Sequence, residues 1–275
     1  MAEARSGTRK TPARKTAARK TAARKTPARK PAARKAPARK AGARKTGTAG
    51  KAKAHKVLAV DIGGSHVKIL ASGRQVPRRV VSGPGMTAQA MVDAVKTMAE
   101  GWDHDVVVLG YPGPVLHNKP LLEPINLGSG WCGYDYQGAF GQPVKIVNDA
   151  LMQAVGSYEG GRMLFLGLGT GLGSAMIVDR LAQPLELAHL PYKKGRTFED
   201  YVGAAGLKRL GKKKWRKEVA NVVARLSAAL EPDYVVLGGG NLKKLDELPP
   251  RCRAGDNANA FKGGFRLWQE DWGLA

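Results

Sequence analysis

Three short stretches carry residue types able to handle a phosphate or a proton. In the first, Asp61-Ile-Gly63-Gly64-Ser65, with Lys68 just beyond, closes the apolar run Val57–Val60. A buried strand that ends in a carboxylate and turns through glycines leaves backbone N–H groups free to face an anion. In the second, Gly167-Leu-Gly169-Thr170-Gly171-Leu-Gly-Ser174 repeats that arrangement between the apolar runs Met163–Leu166 and Ala175–Val178, and it adds the Thr170 hydroxyl. Either turn alone reads equally well as a plain strand-turn-strand hairpin. Two in one chain, one per half, are far more specific. The third stretch is Asn148-Asp149, where strand Val144–Val147 meets a helix read from Ala150 to Tyr158. An Asp at such a junction is commonly an N-cap, and nothing local excludes a functional role.

The elements that must position these groups alternate between strand and helix patterns. After Lys68 the chain reads as a second strand, a turn at Gly73 and a third strand near Arg79–Val81. Met86 to Trp102 has Met91, Val95 and Met98 at helical spacing. Asp105–Leu109 is a buried strand that runs into the rigid loop Gly110-Tyr-Pro-Gly-Pro114. In open α/β sheets, ligands sit at that end of a strand. Asn126–Trp131 is a polar, glycine-rich loop, and Glu186-Leu-Ala-His189 and Glu199 follow the second glycine turn. A lone His in such a place is more often structural than functional. Trp215, Val219, Val222, Val223, Leu226 and Leu230 mark an amphipathic helix closed by Pro232. The basic run Lys208–Lys217 before it is either a solvated helix start or an anion-facing patch. Tyr234–Leu237 is a strand running into Gly238-Gly239-Gly240-Asn241, and Asn257–Trp268 fits a final helix.

Charge separates these elements from the amino-terminal segment. Of 46 Lys and Arg and 22 acids in the 275-residue chain, residues 1–56 hold 20 and one, a net +19. The rest holds 26 and 21, a net +5, and is long enough for one two-lobed unit or two small domains. From Arg9 to Lys45 an Arg-Lys pair recurs every five residues in units such as TPARK and TAARK. That period spirals round a helix and makes no face, prolines interrupt it, and nothing beyond alanine could form a core. The segment is therefore expected to be a disordered tail, similar in composition to linker-histone-like tails. It would bind DNA, RNA or polyphosphate by counterion release, unless it is only a solubilising extension or a transit peptide. Two distant cysteines, Cys132 and Cys252, exclude a disulfide framework and argue against a cysteine-built zinc site. With no membrane-length apolar run and no signal sequence, the expected place is the cytoplasm, with nucleoid association open through the tail.

Taken together, DIGGSHVK (61–68), GYPGPV (110–115), ND (148–149), GLGTGLGSA (167–175), ELAH (186–189) and LGGGN (237–241) resemble the ROK family of repressors and sugar kinases. Within it, the ELAH…FED spacing and the KKKW helix look most like polyphosphate glucokinases. The resemblance covers 57–268. It implies an α/β, actin-like ATPase (ribonuclease H-like) fold with two lobes around a cleft. Residues 57–149 would form one lobe and 150–275 the other, with the last helix returning to the first.

The resemblance also implies roles. Asp149 would be the general base on a sugar 6-hydroxyl, and Asn126, Asn148, Glu186, His189 and Glu199 would bind the sugar. Asp61, Gly63, Gly64, Ser65, Lys68, Gly169, Thr170 and Gly171 would hold donor phosphates, with Asp61 positioning Mg²⁺ through water. Gly238, Gly239 and Gly240 would contact adenosine if ATP is the donor. Three positions depart from the family pattern: Ser65 replaces the usual Thr, Ala188 replaces the usual Gly, and the zinc-binding cysteines are missing. No zinc is therefore expected, and His189 is read as a sugar ligand. The implied activity is phosphoryl transfer from polyphosphate or ATP to glucose, with other hexoses open and a homodimer common among relatives. The alternative is a DNA-associated regulatory protein on a kinase-like fold.

Overall fold

The structure is a computed structural model that describes residues 54–274. The tail expected over 1–56 thus lies, but for its last three residues, outside the described residues.

The first sheet uses residues 57–148. Strand β1 (Val57–Ile62) turns back into antiparallel β2 (His66–Ala71), against which β3 (Arg78–Val81) pairs. Helix α1 (Ala88–Ala99) follows, shorter at both ends than its apolar spacing suggests. Thr87 caps it by accepting from the Ala90 amide at 3.2 Å, and the left-handed Gly101 ends it. Strand β4 (Val106–Tyr111) then enters parallel to β1. A small hairpin of β5 (Val115–Leu116) and β6 (Lys119–Pro120) and the short helix α2 (Tyr136–Phe140) lead to β7 (Val144–Asn148), parallel to β4. The order is β3-β2-β1-β4-β7. Register sets the ends of the parallel strands side by side: Asp61 pairs with Gly110, and Tyr111 with Asn148.

Helix α3 (Asp149–Ser157) leaves that edge at once. Strands β8 (Arg162–Leu168), β9 (Leu172–Val178) and β10 (Leu181–Leu185) form an antiparallel meander. A hairpin of β11 (Pro191–Lys193) and β12 (Arg196–Thr197) precedes the one-turn helix α4 (Glu199–Val202) and the long α5 (Ala204–Leu230). Strand β13 (Tyr234–Gly238) joins β8 in parallel, and β14 (Cys252–Ala254) flanks it. Helix α6 (Asn259–Gln269) and β15 (Gly273–Leu274) close the chain, giving the order β14-β13-β8-β9-β10-β15.

Both faces of β1 are buried, which is why its sequence is an unbroken apolar run. Leu58, Val60 and Ile62 join Met91, Val92 and Val95 of α1 in one core. Val57 and Ala59 join Met152 and Val155 of α3 and Phe261 and Leu267 of α6 in a second. Helices α3 and α6 cross backbone to backbone, so a Cβ on Gly263 would run into the Met152 carbonyl oxygen. A third core lies between the second sheet and α5, around Leu164, Leu166, Trp215, Val219 and Leu226.

The basic run sits inside α5, which starts earlier than the apolar spacing marks and breaks at Gly211 (φ +73°). Trp215 is fully buried and donates from Nε1 to the Val202 carbonyl at 2.8 Å. Lys208, Lys212, Lys213, Lys214 and Lys217 point to solvent. No described helix is long and apolar enough to cross a membrane.

Candidate active site

The carboxyl ends of β1, β4 and β7 and the glycine turn between β8 and β9 face one cavity of about 500 Å³. Both glycine turns reach it. Its wall includes Gly63 and Gly64 from the first and Gly169, Thr170 and Gly171 from the second, with Asn126, Asn148, Asp149, Glu186, His189, Glu199 and Gly239. Ser65 and Lys68 follow the first turn, and Gly238 and Gly240 flank Gly239; none of these four belongs to the wall, nor does Asp61.

At the floor, the cap of α3 is Asn148, not its neighbour. Its Oδ1 accepts from the Leu151 amide at 3.1 Å, while Nδ2 donates to the Gly113 carbonyl at 3.1 Å. Asp149 is thereby freed from capping and becomes the first helical residue, with Oδ1 accepting from the Ala150 amide at 2.7 Å. Burial pushes the Asp149 carboxyl up to about 7, and the nearby Asp61 and Glu186 carboxylates add to the rise. A carboxyl tuned to that range suits general-base work at neutral pH.

Asp61 stands opposite Lys68 in the β1–β2 ladder, and the Lys68 ammonium binds it at 3.1 Å. The Lys68 charge is thus committed to Asp61. Among the described residues, no group of three or more His, Cys, Asp or Glu could hold a metal ion. Mg²⁺ asks for no such cage, because it takes one or two carboxylates and completes its shell with phosphates and water. The Asp61 carboxylate near Asp149 fits an ion held jointly with a donor phosphate.

The first turn is closed by the Gly63 amide on the His66 carbonyl at 3.0 Å. Ser82 braces it, with its hydroxyl on the Gly63 carbonyl at 2.5 Å and its amide on Ser65. Asn126 lies directly over it, so a Cβ on Gly64 would stand 2.8 Å from the Asn126 Cβ. The second turn is held from outside. The Ala204 amide, at the start of α5, donates to the Thr170 carbonyl at 3.0 Å. Asn241 donates from Nδ2 to the Gly169 carbonyl at 2.8 Å and from its amide to Leu168 at 2.9 Å. Glu199 presses on Gly171 so closely that a Cβ there would collide with its Oε2.

Glu186 and His189, both more than half exposed, pair at 3.6 Å across the cavity rim. Beside apolar wall residues such as Leu122, Ile125 and Phe165, two polar ones carry no signal used in the sequence analysis. Gln153 lies four residues after Asp149 on α3, so helical spacing was a usable signal. Glu123 accepts from the Trp131 and Cys132 amides at 3.0–3.2 Å, which fixes the end of the Asn126–Trp131 loop and lowers its own pKa. Its partners lie eight and nine residues away in a loop, a separation with no periodic signature.

No family model matches the chain. Among curated proteins, it is 30% identical over 230 residues to the polyphosphate glucokinase of Mycobacterium leprae (strain TN), covering 74% of this chain and 69% of the relative. It is 29% identical over 228 residues to that of Mycobacterium tuberculosis (strain ATCC 25618 / H37Rv), covering 74% and 84%. Among solved structures, it resembles the inorganic polyphosphate/ATP-glucomannokinase of Arthrobacter sp. strain KM (TM-score 0.66, 22% identity, 78% of this chain and 98% of that one). It also resembles a ROK family glucokinase from Streptomyces griseus in complex with glucose and AMPPNP (TM-score 0.65, 18% identity, 78% and 100%). The fold is thus the actin-like ATPase fold of ROK sugar kinases. The chain belongs to the polyphosphate glucokinase family.

Proposed function

We propose that this chain transfers a phosphoryl group from polyphosphate, or from ATP, to the 6-hydroxyl of glucose. The observation that carries the reading is Asp149: a carboxyl with a pKa near 7, released from capping by Asn148, in a cavity walled by two glycine turns.

In this reading the sugar lies against Asn126, Glu186, His189 and Glu199, with Asn148 holding the floor rigid. Asp149 takes the proton from the 6-hydroxyl as that oxygen bonds to the terminal phosphorus. The bond from that phosphorus to its bridging oxygen breaks, and the shortened polymer or ADP leaves. Gly63, Gly64, Gly169, Thr170 and Gly171 supply backbone amides and a hydroxyl to the phosphates. Bound Mg²⁺ would neutralise charge on the phosphoryl oxygens, with Asp61 as its protein ligand through water. Closure of a lobe of residues 57–149 onto one of 150–275 would exclude water and spare the donor from hydrolysis.

The exposed lysines of α5 favour a polymeric donor, since a polyanion gains from a run of cations that a nucleotide cannot span. We place this enzyme in the cytoplasm. A coupled glucose 6-phosphate assay with polyphosphate or ATP as sole donor tests the reading. Faster turnover with ATP overturns the donor preference, and no product with either overturns the function.

The +19 segment favours a second activity, DNA or RNA binding, by charge alone. A gel shift with the full chain and with a chain lacking residues 1–56 tests it, and equal retardation of the two removes the tail from that role.

A further inference from the structure

We propose that Glu218, on α5, is a positioning residue for the sugar site: it anchors the β11–β12 hairpin and so sets where His189 and Glu199 stand. The proposal rests on the reading of Glu186, His189 and Glu199 as sugar ligands.

The hairpin spans 191–197, between His189 on one side and Glu199 on the other. Its base is closed by the Phe198 amide on the Leu190 carbonyl at 3.1 Å. None of residues 190–198 lines the cavity. The first strand of the hairpin is gripped from α5, where the Glu218 carboxylate accepts the Tyr192 hydroxyl at 2.6 Å and the Lys193 ammonium at 2.7 and 3.0 Å. The Glu218 side chain is only 18% exposed. The Tyr192 ring packs at 5.1 Å from both Phe198 and Tyr201, the residues flanking Glu199 in the fold. Arg225, also on α5, stacks its guanidinium over Tyr192 at 5.3 Å.

A sheltered ion pair adds little net stability compared with apolar packing, but it holds its partners in one arrangement. Here the arrangement held is the two ends of the loop that carry candidate sugar ligands. The segment of α5 before its break at Gly211 also begins on the donor turn, where Ala204 meets Thr170. A general loosening of α5 would therefore disturb donor and sugar together, whereas loss of the anchor alone would disturb only the sugar end.

The test is steady-state kinetics on the full chain, with glucose and each donor varied in turn. Glu218→Ala is expected to raise the glucose KM about tenfold, the worth of a hydrogen bond to a charged group, and to leave the donor KM within about twofold. Glu218→Gln, which still accepts from Tyr192, is expected to recover most of that loss. Tyr192→Phe deletes one hydroxyl and is expected to raise the glucose KM about threefold. It carries the same test should Glu218→Ala fail to fold. An unchanged glucose KM, or an equal rise in both KM values, overturns the proposal. Glu199→Gln is the control. If it leaves the glucose KM unchanged, the sugar-site reading itself falls. If it raises the KM while Glu218 and Tyr192 variants do not, only the positioning role falls.

Discussion

The two glycine turns share a sequence pattern and differ in how they are held. The turn after β1 is braced within its own sheet: Ser82, just past β3, binds both Gly63 and Ser65, and the flanking strands carry the Asp61–Lys68 ion pair. The turn after β8 has no charged residue between Gly167 and Ser174, and it is held by α5, by Asn241 and by Glu199. Like patterns of small residues therefore serve unlike ends. The first turn is flanked by charge behind the cavity wall, whereas the second lends its geometry to whatever packs on it.

The largest effect should come where the two meet. Asp149→Asn is expected to lower kcat by about 10²–10⁴, the worth of a positioned proton transfer. The same change should stabilise the fold above pH 7. A carboxyl whose folded pKa is about 7, against an ordinary 3.8, binds its proton more tightly when folded. Stability is then fully present below about pH 4, falls as the pH rises towards 7, and stays reduced above it. Thermal melts at pH 8 should show a gain on the order of a few kcal/mol for the Asn variant, shrinking as the pH falls. A variant that is inactive and also less stable at pH 8 would mean that Asp149 serves the fold.

Next is Gly171→Ala. Its Cβ would displace Glu199, so sugar and donor KM should both rise, by about tenfold or more at the sugar. Gly64→Ala pushes on Asn126 instead and should leave Glu199 undisturbed. Identical kinetic profiles for the two would erase the proposed difference between the turns.

A subtler effect separates them by charge. The rate constant kcat/KM should fall below a pH near 7, as Asp149 takes up a proton. Asp61→Asn removes a neighbouring negative charge and should move that acid limb to lower pH, while burial, the larger cause, keeps part of the shift. Thr170→Ala should leave the limb in place. Movement of the limb by both variants, or by neither, would break the assignment of charge to the first turn. The smallest effect is expected of Asn241→Ala, which removes one hydrogen bond from the second turn. The donor KM should rise about threefold, with the glucose KM unchanged.

Much of this was legible in the sequence because the signals are local. Val57–Asp61 and Met163–Leu166 announce buried strands, and each glycine turn announces a gap in side chains. Met91 and Val95 mark the inner face of α1. Other features depend on partners far along the chain. Strand β10 alternates weakly and carries Pro184, yet β9 gives it an edge to pair with. The β11–β12 hairpin, with Lys193, Lys194 and Arg196 in seven residues, has no strand periodicity of its own, and its anchor Glu218 is brought across from α5. The cap of α3 needed Gly113 to tie down Asn148 before its neighbour could be seen as free.

The last helix has a consequence for how the protein comes into being. Phe261 and Leu267 complete the core that begins with Val57 and Ala59, some two hundred positions upstream, and β15 adds the final edge to β10. During synthesis from the amino terminus, that side of the nascent β1–β4 sheet therefore has only α3 to cover it until α6 has left the ribosome. Such an exposed apolar surface is a target for chaperones and for aggregation. Slow translation between the codons for α3 and those for α6 should lengthen that exposure, while a stall before α6 emerges should trap a form that has secondary structure but no working cleft.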